Sequence, residues 1–189
     1  MGQPRRRTDR KVLTQRTQRA RRKKVLKLCV LRVLCGKNRL RSIMSNLPPK
    51  LQEIVDDFAS MTREEKLETL IAYAETFPPL PDWLKDKRDQ MEAVPECMTP
   101  VFLHAEKQSD GGIHFYLDIP PQSPTVRGLA SILANGLDGC TPEEVISVPG
   151  DFFLPMNLQE AVSQQRINGF TGVLAHMKHE AVKLLDKKE

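Results

Sequence analysis

The chain has 189 residues, a formal net charge of +5 and four cysteines. Residues 1–43 contain sixteen Lys or Arg and one acid, about +15, whereas residues 44–189 contain thirteen Lys or Arg and twenty-three acids, about −10. The second part has the size of one ordinary domain. The chain has no GxxxxGK[ST], GxGxxG, HExxH or GxSxG motif, which argues against phosphate-binding loops, dinucleotide sites, zinc proteases and serine hydrolases of those types.

Residues 1–43 form a basic tail for which we predict disorder, because its apolar surface is too small to offset the entropy of ordering. Its basic run at residues 5–24 could contact nucleic-acid phosphates. Its apolar run at residues 25–35 is too short to span a bilayer, which takes about 20 residues. An organelle transit peptide is an alternative, although the tail contains a single serine, Ser42. We interpret the tail as a translated upstream region, with the domain beginning at Met44.

Two amphipathic helices are predicted to open the domain. The first begins near Pro48, and the second begins at a capping box of Thr62 and Glu65, in which the hydroxyl and the carboxylate each satisfy a free backbone N–H. The three prolines in residues 77–81 end the second helix. The apolar positions that form the predicted buried faces are Leu51, Ile54, Val55 and Phe58, then Leu67, Leu70, Ile71 and Ala74.

A β-hairpin is predicted at residues 101–107 and 113–119, where apolar and polar residues alternate with the period of two that marks half-buried strands. Residues 108–112 form the turn. If Lys107 pairs with Ile113, the pattern separates into two faces. One face then holds Val101, Leu103, Ala105, Ile113, Phe115, Leu117 and Ile119, and the other holds Phe102, His104, Glu106, His114, Tyr116 and Asp118.

Three more helices are predicted after the hairpin. Ser123 is expected to cap the first and Pro124 to open it, and Thr141 and Glu144 form a second capping box before the chain breaks at residues 149–151. The order of elements predicts an α+β domain, a small antiparallel sheet built on a hairpin with helices packed on one face. The last helix presents a long apolar face of Ile167, Phe170, Leu174, Met177 and Ala181.

The sequence shows no complete metal site. Two cysteines lie in the tail and two, Cys97 and Cys140, in the domain, without a CxxC or a His-spaced pair. His176 and His179 could share a ligand, but they lack a third partner, so we interpret them as solvent-facing and expect no metal. Because no secretory signal is evident, we expect free thiols in a reducing cytoplasm.

Cys97 is the leading candidate for a reactive group. Its loop is bounded by Pro95 and Pro100, whose fixed φ angles restrict the backbone. Such a loop can present a thiol at the surface of the domain. The adjoining Glu96 carboxylate disfavours a thiolate. From the residues alone, a structural and a catalytic role for this cysteine stay equally open.

Three other side chains are weaker candidates. Cys140 immediately precedes a predicted helix, whose positive N-terminal end would lower the pKa of a thiol, although a half-buried side chain at a turn is the simpler interpretation. His104 and His114 could act as general bases for a thiol. The predicted register places both on the polar face, as ordinary exposed histidines.

Four fragments, taken together and in this order, resemble the SufE family of sulfur-acceptor proteins over roughly residues 48–185. The family's α+β fold agrees with the order of elements. Two positions differ from those of many relatives. Phe102 stands in place of a tryptophan, and Glu96 stands in place of a glycine. The second difference puts in doubt how far the loop can swing out. The fragments are Val94-x-x-Cys97-x-Thr99-x-Val101-Phe102, Val126-Arg127-Gly128-Leu129, Thr141-Pro142-Glu143-Glu144-Val145, and Leu158 with Arg166 and Asn168-Gly169.

The resemblance implies that Cys97 is a persulfide acceptor. SufE-like proteins take sulfane sulfur from a cysteine desulfurase, stimulate that enzyme, and pass the sulfur to a scaffold for iron–sulfur clusters. No cofactor of the chain's own is implied, since the pyridoxal phosphate belongs to the desulfurase, and no membrane partner is expected. Arg166 matches an arginine of the family's C-terminal motif and is expected to contact the desulfurase or steady the cysteine loop, with a helix-start salt bridge as the alternative. A homodimer stays open.

Two functions of other classes stand as alternatives. A nucleic-acid-binding protein would act through residues 1–43 and bind with a steep salt dependence. A self-contained hydrolase would pair Cys97 with His104 or His114 and would turn over a thioester or peptide without a desulfurase.

Overall fold

The computed structural model describes residues 47–186. The basic tail of residues 1–43 and the predicted domain start at Met44 lie outside the described residues, so both stay predictions. No helix of the described part is long and apolar enough to cross a membrane.

The described chain forms six α-helices and three β-strands. This content confirms the predicted α+β class. Short 3-10 helices occur at Arg88–Gln90, Leu154–Met156 and Leu158–Glu160. The principal elements in chain order are α1 (Pro49–Ser60), α2 (Arg63–Glu75), α3 (Asp82–Lys85), β1 (Glu92–Ala93), β2 (Phe102–Lys107), β3 (Ile113–Asp118), α4 (Pro124–Leu137), α5 (Pro142–Ser147) and α6 (Gln164–Asp186).

The strands form one antiparallel sheet in the order β1, β2, β3. Lys107 pairs with Ile113, as the alternation predicts, and the predicted apolar face is the buried one. The sequence did not indicate β1, because a strand of two residues is too short to show a period. It pairs Glu92 with Leu103 and thereby places the Glu92 side chain at the sheet edge.

The helix starts follow the sequence with one exception. Both predicted capping boxes, on α2 and on α5, are present with their two hydrogen bonds. α4 begins at Pro124, but Ser123 makes no capping hydrogen bond, so that prediction is wrong. The Ser123 hydroxyl instead lies 3.5 Å from the Thr99 hydroxyl, which belongs to the loop between β1 and β2.

The buried face of α2 differs from the predicted one. Leu70 and Ala74 are buried as expected, but Ile71 is 48% exposed and Lys66 only 2% exposed. The Lys66 ammonium lies 3.6 Å from the Glu160 carboxylate, so its aliphatic stem is buried while its charge is paired at the end. Apolar periodicity could not indicate this, because it counts every lysine as polar.

Two helices connect the core to the site. α4 packs against β3, and α6 packs against β2 and α4. All five residues of the predicted apolar face of α6 are buried, so this helix is held firmly while its first turns stay close to the loop between β1 and β2. That loop carries Cys97.

Candidate functional site

The cysteine loop, residues 94–101, is closed at its base by backbone hydrogen bonding. Val94 N–H donates to the Val101 carbonyl at 3.0 Å, and Cys97 N–H donates to the Val94 carbonyl at 3.2 Å. The second bond makes a tight turn that ends at the cysteine. Together with the two prolines, these bonds present Cys97 on a short, constrained loop.

The cysteine loop lies directly on α6 at two glycines. A Cβ added at Gly169 would lie 2.7 Å from the Cys97 sulfur, and one added at Gly172 would lie 2.8 Å from Cβ of Glu96. Contacts this short do not occur with real side chains, so only glycine allows the loop to approach so closely. Gly169 belongs to one of the family fragments, but the sequence signal for this close packing is the Gly-x-x-Gly spacing of Gly169 and Gly172, which was missed above.

Cys97 lines a cavity of about 420 Å³ between the cysteine loop and the first turns of α4 and α6. Arg166 lines the same cavity, so the structure brings together the two site residues predicted from the sequence. Met98 follows the cysteine and is 80% exposed. The lining residues of the loop are Cys97, Met98 and Thr99, and those of the helices include Ser123, Val126, Leu129, Ser163, Arg166, Gly169 and Phe170.

The surroundings of Cys97 favour the neutral thiol. Its side chain is half-buried, and burial, followed by the negative charge of Glu96, raises the pKa of the Cys97 thiol. The predicted effect of Glu96 is therefore confirmed. The described residues supply no group that lowers this pKa.

Hydrogen bonds tie the cysteine loop to α6 and β1. Glu96 Oε2 lies 3.1 Å from Nε2 of His176, and Nδ1 of the same imidazole contacts Glu92. His179 Nδ1 lies 2.9 Å from Glu92 Oε1, and Lys183 Nζ lies 2.6 Å from Glu92 Oε2. Glu92 contacts both histidines and is the third partner that the sequence did not indicate. His179 is solvent-facing as predicted, with its side chain 59% exposed, whereas the prediction is wrong for His176, whose side chain is 20% exposed. No local signal marked Glu92, since it meets His176 across 84 positions.

The charges of this network shift two more pKa values. Burial opposes protonation of His176, but its hydrogen bonds with Glu92 and Glu96 outweigh burial and raise the pKa of the imidazole. Burial also acts to raise the pKa of the Glu92 carboxyl, yet the hydrogen bonds that it receives hold this pKa well below its usual range. The His176 imidazole thus joins the cysteine loop and β1 to α6 through contacts with two carboxylates.

Arg166 lies in the first turn of α6 and is exposed. Within the described residues its guanidinium forms no ion pair or side-chain hydrogen bond, so the helix-start salt bridge considered above is not formed there. Its five N–H donors remain available at the cavity.

The other candidates lie away from Cys97. His104 stacks edge-on against Trp83 at 5.6 Å between ring centroids, and His114 Nδ1 lies 2.6 Å from an Asp138 carboxylate oxygen. Neither histidine lines the cavity. Cys140 is buried, and burial raises the pKa of its thiol. This agrees with the simpler interpretation of a side chain packed at a turn and not with the alternative of a thiol pKa lowered by the helix end. The geometry therefore does not support a Cys–His pair.

Comparison with known proteins identifies the family. The SufE model, described as an Fe-S metabolism associated domain, matches residues 52–181. The chain belongs to the SufE family. This family is associated with iron–sulfur metabolism, and the resemblance drawn from the sequence fragments is confirmed.

Individual relatives agree with this assignment. The chain is 37% identical over 134 residues to an uncharacterized SufE-like protein of Mycobacterium tuberculosis, covering 71% of this chain and 92% of that protein. The cysteine desulfuration protein SufE of Plasmodium vivax is 24% identical over 147 residues, covering 76% of this chain and 57% of that protein. The solution structure of a hypothetical protein from Thermus thermophilus superposes with a TM-score of 0.66 at 33% identity, covering 75% of this chain and 99% of that one.

Proposed function

We propose that the protein is a sulfur acceptor that takes sulfane sulfur from a cysteine desulfurase onto Cys97. The Cys97 thiolate attacks the outer sulfur of a persulfide on the desulfurase, a new S–S bond forms on Cys97, and the desulfurase cysteine leaves as a thiolate. A scaffold for iron–sulfur clusters then receives the sulfur by the same exchange, with Cys97 as the leaving thiolate. Neither step requires an oxidant or a reductant.

The position of Cys97 is the observation that carries this proposal. Of the two free cysteines in the described part of the chain, Cys140 is buried, whereas Cys97 is half-buried at the tip of a closed loop. Its sulfur borders a cavity of about 420 Å³. A persulfide formed there would be partly shielded from bulk solvent until the next partner arrives.

The desulfurase has to activate the thiol, because the domain itself raises the pKa of Cys97. We expect the loop to leave α6 and enter the partner's active site, which separates Cys97 from the apolar surface that disfavours its thiolate. Leaving α6 breaks the 3.1 Å contact of Glu96 with His176. The exposed thioether of Met98 makes the loop tip apolar, which suits insertion into a partner.

Arg166 is suited to bind an anion during transfer. Its guanidinium lies at the cavity without a partner among the described residues, and such a group forms strong charge-assisted hydrogen bonds with carboxylates and other anions. We expect it to contact a carboxylate of the desulfurase when the cysteine loop has moved.

The chain needs no cofactor of its own for this reaction, because its sulfur is carried covalently and pyridoxal phosphate belongs to the desulfurase. Cys97 must be a free thiol to accept sulfur, so a reducing compartment is required. We propose the cytoplasm as that compartment.

Intact-mass measurement tests the proposal. The full chain, incubated with its desulfurase and L-cysteine, is expected to gain one sulfur atom, which peptide mapping should place on Cys97. The Cys97→Ser variant should lose both this increment and the stimulation of the desulfurase. Cys140→Ser is the matched control and should retain both. An increment that maps to Cys140, or turnover of a thioester without any desulfurase, would show that the assignment is wrong.

A further inference from the structure

Three metal-ligating side chains converge beside the cysteine loop. Glu92 comes from β1, and His176 and His179 lie one turn apart on α6. One ligand atom from each of these residues lies within 4.8 Å of the other two. No other group of three such side chains occurs in residues 47–186.

The atoms that converge are those that bind a transition-metal ion. The same carboxylate oxygen, Glu92 Oε1, contacts Nδ1 of His176 and lies 2.9 Å from Nδ1 of His179. When deprotonated, the imidazole nitrogens and the carboxylate oxygen each present a lone pair, so a metal ion can take the place of the protons that join them. Two histidines and one carboxylate form a ligand set for Zn²⁺ and for non-haem Fe²⁺.

Outer residues orient two of the three ligands. Glu96 accepts a hydrogen bond from Nε2 of His176 at 3.1 Å, which leaves Nδ1 directed at Glu92. Lys183 Nζ donates to Glu92 Oε2 at 2.6 Å. His179 Nδ1 also lies 3.1 Å from this oxygen, so Oε1 is the oxygen that contacts both imidazoles. A carboxylate behind a ligating histidine is the usual outer partner in protein metal sites, since it sets the ring orientation and increases ligand basicity.

Burial of the three side chains is uneven. The side chains of Glu92 and His176 are 16% and 20% exposed, whereas that of His179 is 59% exposed. An ion can therefore enter from the His179 side, and the coordination positions on that side stay open to water. Three protein ligands with an open position are typical of exchangeable or reactive sites, not of closed structural ones.

We propose that Glu92, His176 and His179 bind one divalent transition-metal ion through Oε1 and the two Nδ1 atoms. The ion replaces the protons that otherwise join these groups, and Glu96 and Lys183 hold the ligands in place. This site is separate from sulfur acceptance and does not use the Cys97 sulfur. It joins β1 to α6 at His176, which also contacts Glu96 of the cysteine loop.

Zinc binding by the full, untagged chain tests this site. Titration of Zn²⁺ in competition with a chromophoric chelator is expected to show binding of one ion per chain. His179→Ala should weaken the affinity for Zn²⁺ by at least roughly 10–100-fold, which is the effect of losing a residue that only supports a metal ligand. Because His179 is exposed, this variant should keep its fold, which circular dichroism checks. Glu92→Gln should weaken binding in the same way.

His114→Ala is the matched control, because His114 also contacts a carboxylate but has no second imidazole beside it. Its Zn²⁺ affinity should stay that of the parent chain, as should that of Cys97→Ser. Substitution of Co²⁺ for Zn²⁺ reports the ligands directly, since thiolate ligation would add an intense near-ultraviolet band that nitrogen and oxygen ligands lack. Absence of binding, equal affinity in His179→Ala and His114→Ala, or a thiolate band lost in Cys97→Ser would each overturn the proposal.

Discussion

The Cys97 sulfur rests on the backbone of Gly169, where an added Cβ would lie 2.7 Å from it. The cysteine loop packs closely on α6 because Gly169 has no side chain. Its position depends on the helix as much as on its own prolines.

Gly169→Ala should push the cysteine loop off α6. Alanine is favoured over glycine within a helix by about 1 kcal/mol, which offsets part of the cost of the clash with the sulfur. We expect a change in the free energy of unfolding within about 2 kcal/mol and a severalfold faster alkylation of Cys97, followed by peptide mapping. Gly150→Ala, where a Cβ meets no atom within 4 Å, is the control. Unchanged alkylation in Gly169→Ala would contradict the close seating.

Glu96→Gln should make Cys97 more reactive by lowering its pKa. The thiolate alone is alkylated, and the Glu96 charge adds to burial in raising the pKa of the thiol. Removal of the charge should therefore move the midpoint of the rate against pH profile to lower pH, while burial keeps it above that of the unfolded chain. Glu64→Gln, on the exposed side of α2, should leave the midpoint unchanged. A midpoint that stays in place in both variants would contradict the electrostatic effect.

Arg166→Ala should reduce sulfur transfer without unfolding the domain. The side chain is exposed and forms no ion pair within residues 47–186, so the free energy of unfolding should change by no more than about 0.5 kcal/mol. Loss of a charge-assisted hydrogen bond to a partner anion, about 1.5–3 kcal/mol, predicts a desulfurase stimulation at least about tenfold weaker. Arg63→Ala on α2 serves as the comparison. Equal stimulation of the desulfurase by the two variants would show that Arg166 has no role in sulfur transfer.

The two helix starts should differ in their response to alanine. Thr141 forms both bonds of a capping box, so Thr141→Ala should cost about 1 kcal/mol in urea unfolding. Ser123 makes no capping hydrogen bond, so Ser123→Ala should cost less than about 0.5 kcal/mol. Equal costs would mean that Ser123 caps α4 in solution.

A chain that begins at Met44 should keep the fold and the sulfur-acceptor activity. The family match begins at residue 52, and the cavity, the cysteine loop and α6 all lie within the described residues. Thermal unfolding and desulfurase stimulation of the shortened and full chains should agree. Loss of either property would give residues 1–43 a role in the domain.

Most of the fold could be predicted because its signals are local. Apolar alternation defined the pairing of Lys107 with Ile113, and the spacing of Thr and Glu located two capping boxes. The prediction of the α2 face failed at Lys66, whose burial depends on an aliphatic stem and a distant carboxylate. The capping prediction failed at Ser123, whose hydroxyl lies near Thr99 instead.

The sequence by itself determined the order of elements, the hairpin register and the family that marks Cys97 and Arg166. Periodicity and capping depend on residues a few positions apart, so they can be recognised in the sequence without the tertiary structure. Only the tertiary structure brought Glu92 to His176, 84 positions away, and seated Cys97 on Gly169. These contacts depend on how a two-residue strand and a long helix meet in space. They decide both the burial that raises the pKa of the Cys97 thiol and the cluster of metal-ligating side chains beside it.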